Sequence, residues 1–391
     1  MDKVNFKLNK YCTLIAAIVN ILLTPLSSQS QSVTSGSNIK VSGEVLFGTT
    51  SYGGVIPTAN RINSQTVIDD RVRIDIETKF TSKDRLKVRL ETGNSTPLNS
   101  NITGTNMTRL GYDGAKHNVS LSAIQYQFPI ADRTQGVVEI MGSAYSDNLD
   151  NFNPTLANSA TGAISRFGRY QPIYRLSNDG SGLTVKHQFS TQWSASASFT
   201  APSLTSANPT AGGLFGGANA VIGQVKYLPS QDLKLGVVYA RSYHPNGSGV
   251  TGATGSLTAN NPFNSEPTTA QHYGLNASYQ IGKDTTVSGW WGTTTAQSTV
   301  NGRGDSQSTN FALSLAANNF GGKNNTLGII VGIPPKSNRD LGTSWHLEAI
   351  YKVSVNDNMD ITPGLLVITN PEHNPNHPPI WVSTIRTTFR F

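Results

Sequence analysis

The chain has 391 residues, of which 14% are charged and 37% hydrophobic, with 37 glycines and a formal net charge of +7. So low an apolar fraction, below that of a usual soluble α/β enzyme, points to a β protein whose apolar surface faces something other than its own core. The charge is mild for this length and no basic run is interleaved with aromatics, which argues against a nucleic-acid partner; the single cysteine, Cys12, leaves no pair for a disulfide or a thiolate metal site.

The first element is an export signal, expected over residues 1–30. Lys3, Lys7 and Lys10 precede an apolar run from Tyr11 to Leu23. Pro25 ends that run, and Ser28-Gln29-Ser30 supplies small residues at the −3 and −1 positions of a cleavage site. The run is too short for a spanning helix, which needs ~20 apolar residues. Nothing later in the chain is long and apolar enough to span as a helix. A membrane protein made from this sequence must therefore cross with strands closed into a barrel. A short segment, 31–38, separates the signal from the first strand.

From 39 to 391 the pattern has period two, as in half-buried strands. Ile39, Val41, Val45 and Phe47 alternate with Lys40, Ser42, Glu44 and Leu46, and Val72, Ile74 and Ile76 alternate with Arg71, Arg73 and Asp75. The same alternation runs through 193–199, 272–281 and 344–353; three strands, the fifth, eleventh and thirteenth, alternate poorly. Short connections near 81–84, 129–135, 190–192, 228–231, 282–284, 317–324 and 354–357 interleave with long Gly/Asn/Ser/Thr-rich ones. The fold expected is all-β, a transmembrane antiparallel barrel of about sixteen strands with short periplasmic turns and long external loops. A soluble sandwich would also alternate, but has no reason to sort its connections by length. Phe80, Phe128, Phe189, Tyr227, Tyr279 and Tyr351 fall where strands enter the short turns, as in an interfacial aromatic girdle. The last segment ends in Phe389 and Phe391. A terminal aromatic strand of this kind is read as the assembly signal of bacterial outer-membrane barrels.

The inward set is expected to be polar throughout. Arg71, Arg73, Lys87 and Arg89 share the lumen-facing parity, and closure brings Arg386 alongside. Two readings stand together: a basic wall that biases the pore toward anions, or cross-strand ion pairs that only stiffen it. The third long connection, 144–180, carries Asp147, Asp150, Arg166, Arg169 and Arg175. A sixteen-stranded barrel leaves a wide channel unless something narrows it, so this loop is the expected constriction. His373 and His377 sit among prolines that forbid the helix needed to put them on one face, so no metal is expected, nor any cofactor. No serine lies in a nucleophile elbow, and no enzyme is indicated.

Three stretches carry a resemblance: Gly162 to Arg175 (GAISRFGRYQPIYR), Ile361 to Pro371 (ITPGLLVITNP) and Ser383 to Phe391 (STIRTTFRF). Together they resemble the porin family of cyanobacterial outer membranes, related to carbohydrate-selective porins and often described as iron-uptake porins. The resemblance implies an outer-membrane protein passing small hydrophilic solutes and ions, with iron or sugars as cargo. Its implied partners are lipid, those solutes and the barrel-assembly machinery, and a homotrimer is the expected assembly. Sugar selectivity would call for aromatics along the lumen, where only Trp290 qualifies. A structural envelope barrel with an occluded lumen is the remaining alternative. Members usually place a surface-layer-homology domain and a coiled coil before the barrel; here the first strand is expected soon after residue 36 and no heptad run precedes it.

Export makes a direct prediction. The mature protein should begin near residue 31, which mass spectrometry of its N-terminus reads. An intact Met1 in the mature protein would overturn it.

Overall fold

The computed structural model describes residues 39–391, except 58–61, 115–116, 177–179, 203–205 and 301–303. The expected signal and the segment 31–38 lie outside the described residues. Strands β1 (Lys40–Gly53), β2 (Ser64–Thr78), β3 (Arg85–Gly93), β4 (Ser120–Ala131) and β5 (Thr134–Ser143) precede the longest connection. After it come β6 (Gly180–Gln188), β7 (Trp193–Ala201), β8 (Asn219–Tyr227), β9 (Leu233–His244), β10 (Thr268–Ile281) and β11 (Thr285–Ser298). The chain ends with β12 (Ser306–Asn318), β13 (Thr326–Ser337), β14 (His346–Asn356), β15 (Met359–Ile368) and β16 (Ile380–Arg390). Each strand pairs antiparallel with its sequence neighbours, and β1 pairs with β16 to close the ring. The sixteen-stranded barrel expected from the sequence is the one that forms. Closure leaves no edge, so every strand finds its backbone partners within the ring.

One end of the barrel carries the turns 79–84, 132–133, 189–192, 228–232, 282–284, 319–325 and 357–358. The other end carries the longer connections, the third of which spans 144–179. Sorting by length blurs at one point: the turn 319–325 is as long as the opposite connection 299–305. Outward positions along the middle of the strands are mostly apolar or aromatic, as a lipid-facing surface requires, with exposed Arg241, Gln271 and Thr309 near the long-loop end. Rings meet at the short-turn end, with Trp193 stacked on Tyr227 at 4.2 Å and Tyr126 on Phe128 at 5.5 Å. A second set, which the sequence reading missed, lies toward the opposite end. Tyr239 meets Tyr273 at 5.2 Å, Phe311 meets Trp345 at 6.1 Å, and Trp291 and Trp381 are exposed beside them.

The expected polar inward face holds for only part of the ring. On β2 to β7 most inward residues are charged, hydroxylic or amides, with Val137 an apolar exception. From β8 round to β1, many are apolar and buried: Ile222, Val238, Trp290, Ala312, Ile330, Ile350, Leu366, Val382 and Leu46. They are dry because Leu156, Ala163, Ile164 and Phe167 of the third connection pack on one part of this wall, while Tyr145 and Ile173 cover Ile222 and Val238. This also explains the poor alternation of β13, and of β11 around Trp290. A strand with lipid on one side and a packed loop on the other has no polar face to display.

The closing seam is tight. Gly43 donates its N–H to the Phe391 carbonyl at 2.8 Å, and Phe391 donates back to Gly43 at 3.1 Å. The Phe391 ring occupies the place of a side chain on Gly43: a Cβ there would lie 2.1 Å from it. Phe389 meets Phe47 edge-on at 5.8 Å across the same seam. Deleting Phe391 removes both bonds and the ring, and should leave little heat-modifiable barrel in membranes. Wild-type amounts of folded barrel in the deletion variant would show that the terminal ring is dispensable.

Candidate channel constriction

The third connection folds into the barrel and fastens to the inner wall by charged side chains of both signs. Arg386 of β16 is fully buried. Its guanidinium donates to the carbonyls of Ser159 at 2.9 Å, Ala163 at 3.2 Å and Gly162. Thr388 donates to the Ala160 carbonyl at 3.0 Å, and Arg71 of β2 donates to Ser159 Oγ at 3.0 Å. The next peptide groups turn their N–H bonds outward to an acid. Glu348 Oε1 of β14 accepts from Ile164 N at 2.5 Å and Ser165 N at 3.3 Å. Its Oε2 accepts from the Ser165 hydroxyl and lies 3.0 Å from His346 Nε2. Gly168 is needed here, since a Cβ would come within 2.7 Å of Glu348 Oε2.

Further along, Phe167 packs edge-on to Trp290 at 5.6 Å, and Gln171 donates to the Trp291 carbonyl at 2.7 Å. Tyr174 OH accepts from Gln224 at 2.7 Å and from Asn276 at 3.3 Å. At the start of the connection, a helical turn over Tyr145–Asn148 is pinned by Tyr145 OH, which donates to the Ala220 carbonyl at 2.7 Å and accepts from Thr200 at 2.9 Å. Burial pushes the Tyr145 and Tyr174 hydroxyls above the ordinary tyrosine range, so both stay neutral.

What remains open lies against β5 to β8. A cavity of about 750 Å³ is lined by Asp147 and Asp150 of the third connection and by Gln135, Lys186, Ser194, Ser196, Gln224 and Lys226 of the wall. Asp150 pairs with Lys226 at 3.3 Å, and Asn148 donates to Glu139 at 2.7 Å. Asp147 acts electrostatically on Lys87, Arg89 and Lys186. Acids on the inserted loop thus face bases on the wall, which sets a field across the passage.

The residues singled out from the sequence divide accordingly. Arg73, Lys87 and Arg89 are inward and half-buried, but each is paired across strands. Arg73 meets Glu91 at 2.6 Å, Arg89 meets Asp75 at 2.7 Å, and Lys87 meets Asp75 at 3.7 Å. Arg71 pairs with Glu44 at 2.7 Å. Arg71 and Arg386 point inward, but the loop covers both, so they hold the loop instead of lining open space. The five residues of the third connection also separate. Asp147 and Asp150 line the cavity. Arg169 instead donates to the carbonyls of Ala157 at 2.6 Å and Gly111 at 3.0 Å, and Arg166 donates to Gly252 at 3.1 Å. Arg175 is buried, donates to the Arg166 carbonyl and lies 4.2 Å from the Tyr170 ring centre. Burial first, then the neighbouring arginines, holds its guanidinium well below the usual arginine range. Such arginines are committed to backbone and ring, which is a correction to their expected place at the eyelet.

His373 is buried with both ring nitrogens engaged: Nδ1 accepts from Ser344 N at 2.8 Å and Nε2 lies 3.2 Å from the Pro335 carbonyl. His377 Nδ1 faces the Pro371 carbonyl at 2.9 Å. These rings lock loops together. Sequence reasoning missed Lys186 and Lys226, which the alternation of β6 and β8 would have placed inward. It also missed Glu348 and His346, whose inward parity was visible but whose loop partners, 181 to 184 residues away, were not.

A closed sixteen-stranded antiparallel barrel with an inserted third loop is the architecture of outer-membrane porins. The model of the family "Carbohydrate-selective porin, OprB family" matches residues 6–391, and the chain belongs to that family. It is 36% identical to an uncharacterized protein of Synechocystis sp. (strain ATCC 27184 / PCC 6803 / Kazusa) over 84% of this chain and 64% of that protein. It is 31% identical to an uncharacterized protein of Nostoc sp. (strain PCC 7120 / SAG 25.82 / UTEX 2576) over 90% of this chain and 65% of that one. The chain thus spans somewhat under two thirds of the length of these relatives. Among solved structures it resembles Pseudomonas putida OprB, with a TM-score of 0.61 at 11% identity, covering 90% of this chain and 94% of the other.

The buried fastening can be tested without reference to transport. Arg386→Ala deprives three buried carbonyls of a donor, at a cost of about 3 kcal/mol or more, since each stranded polar group costs about 1–3 kcal/mol. No ladder bond is lost, so the barrel should persist while hydrogen exchange over 159–165 accelerates. Unchanged exchange there would show that the guanidinium does not hold the loop.

Proposed function

We propose that this protein is an outer-membrane porin that lets small hydrophilic solutes diffuse through the side of the barrel bounded by β3 to β8. The observation that carries the reading is the unequal filling of the lumen. The third connection packs dry against the wall from β8 to β1, yet leaves a polar cavity of about 750 Å³ against β5 to β8. A barrel meant only as a structural element has no need of half-buried charges at such a cavity.

Sugars are favoured over inorganic iron as cargo. The family's description names carbohydrates. The cavity lining supplies hydroxyls and an amide from Ser194, Ser196 and Gln135, which suit a sugar's own donors and acceptors. Trp290, the one inward tryptophan foreseen as part of a sugar track, is buried against Phe167, so stacking is not how this lumen would handle a sugar.

The test is direct. Folded protein in planar bilayers should give stepwise conductance, and proteoliposomes should swell faster in a monosaccharide than in a tetrasaccharide. Folded barrel that gives neither steps nor swelling would leave the structural-barrel alternative standing.

A further inference from the structure

The cavity owes its existence to β7. Its inward positions Ser194, Ser196 and Ser198 are small, while the flanking strands β6 and β8 point Lys186 and Lys226 inward beside them. In register, Lys186 sits opposite Ser196, and Lys226 sits opposite Ser194. Neighbouring strands lie about 4.8 Å apart, so the two lysines root ~10 Å apart laterally across a floor of hydroxyls.

The two ammonium groups differ in one respect. Lys226 is tied to Asp150 at 3.3 Å, and Lys234 of β9 approaches the same carboxylate at 3.9 Å. Lys186 makes neither an ion pair nor a hydrogen bond among the described residues. The charged groups around it are Glu139, Arg85, Lys226 and Asp147, two of each sign, so the acids do not outnumber the bases. On β2 and β3 the wall cations Arg73, Arg85 and Arg89 are compensated by cross-strand pairs, while Lys83 and Arg133 reach the same cavity from exposed positions in the short turns. A half-buried ammonium facing an open polar cavity with no partner of its own is suited to an anionic group that arrives from outside.

We infer that this cavity is a subsite for oxyanion groups of passing solutes, carboxylate or phosphate on a small hydrophilic molecule, and that Lys186 sets its preference. Ser194 and Ser196 donate to the second oxygen of such a group, while Lys226, already neutralised by Asp150, contributes field more than contact. The subsite rests on the porin reading but goes beyond it, because it makes anionic sugars favoured cargo over neutral ones.

The experiment uses the full folded chain in planar bilayers with potassium chloride. Gluconate, glucose 6-phosphate and neutral glucose are added in separate arms. Both anions should reduce single-channel conductance at millimolar concentration, and glucose should do so more weakly. In Lys186→Gln the apparent affinity for the anions should fall roughly three- to tenfold, the effect of losing one close charge. The reversal potential in a salt gradient should move toward cations. Lys234→Gln, which removes a wall cation of the same sign outside the cavity lining, should change anion block less than about twofold. Block by gluconate alone or by glucose 6-phosphate alone would narrow the group to carboxylate or phosphate and support the site. Equal block in wild type and Lys186→Gln, or an equal loss in Lys234→Gln, overturns it. A conducting wild type that neither anion blocks removes the subsite and leaves the porin reading intact. A wild type that does not conduct removes both.

Discussion

Between Ser159 and Ser165, one stretch of backbone lies inside the barrel without a strand to pair with. The wall cannot help through its own backbone, because closure has already used those groups in the ladder. Its own loop and the second connection supply some partners, as Ala163 N to the Leu156 carbonyl and Gly111 N to the Ile164 carbonyl, and wall side chains supply the rest, chiefly two ionised groups of opposite sign. The carbonyls of 159, 162 and 163 converge on Arg386, and the amides of 164 and 165 converge on Glu348. A guanidinium carries only donors and a carboxylate only acceptors, so each matches the polarity of the peptide groups it meets. Burying either charge alone would be costly. Here each is hydrogen-bonded, and the pair sits only two strands apart, on β16 and β14, so their mutual attraction offsets part of the cost.

The division of the lumen follows from that fastening. Once the loop is held against β14 and β16, its side chains Ile164 and Phe167 have one place to go, and the wall there is apolar to receive them. Inward Ile330, Ile350 and Leu366 would be errors in a water-filled tube. Under a loop they form a core. The opposite wall receives the helical turn at 145–148 and Asp150 after it, and a polar cavity remains beside them. There the charges are numerous but mostly cancelled across neighbouring strands, each half-exposed pair worth about 0.2–1 kcal/mol. The even choice between a selective basic wall and stiffening ion pairs is therefore answered unequally. For Arg73, Arg85 and Arg89 the pairs are made.

Strand number, order and closure were legible in the sequence because lipid imposes a one-sided rule. Every second residue must be apolar, and connections must sort to two ends. Where a strand obeyed both rules, as in Val72-Arg73-Ile74-Asp75-Ile76, the reading was straightforward. Where the inner face was also dry, as around Trp290-Trp291 and Ile329-Ile330, the alternation vanished and the register was lost with it. The site was less legible for a different reason. Arg166, Arg169 and Arg175 look like pore residues because arginine is a charge, and their use as backbone donors depends on carbonyls brought in by folding. Lys186 has no local mark at all. What singles it out is that neither acid near it, Glu139 of β5 or Asp147 of the third connection, forms an ion pair with it, and that is a property of the ring and not of the segment.

A loop held this way behaves as a fixed part of the wall. A lid needs a few weak contacts that can be exchanged, whereas releasing 159–165 would strand several buried polar groups and two buried charges at once. The width of the passage is then set by side chains standing on two rigid surfaces, the wall at β4 to β8 and the start of the third connection with Asp147 and Asp150. Because the opposed charges are nearly balanced in number, the net charge of the passage is small, and a single uncompensated group weighs heavily in it. Changing one of the paired arginines would disturb two charges that largely offset each other before and after. Changing an unpaired lysine alters the balance by a whole unit in a space that screens it poorly. Selectivity in such a channel resides in the few groups that pairing has left over, so it can shift between related proteins by one substitution while the fold and its buried fastening stay the same.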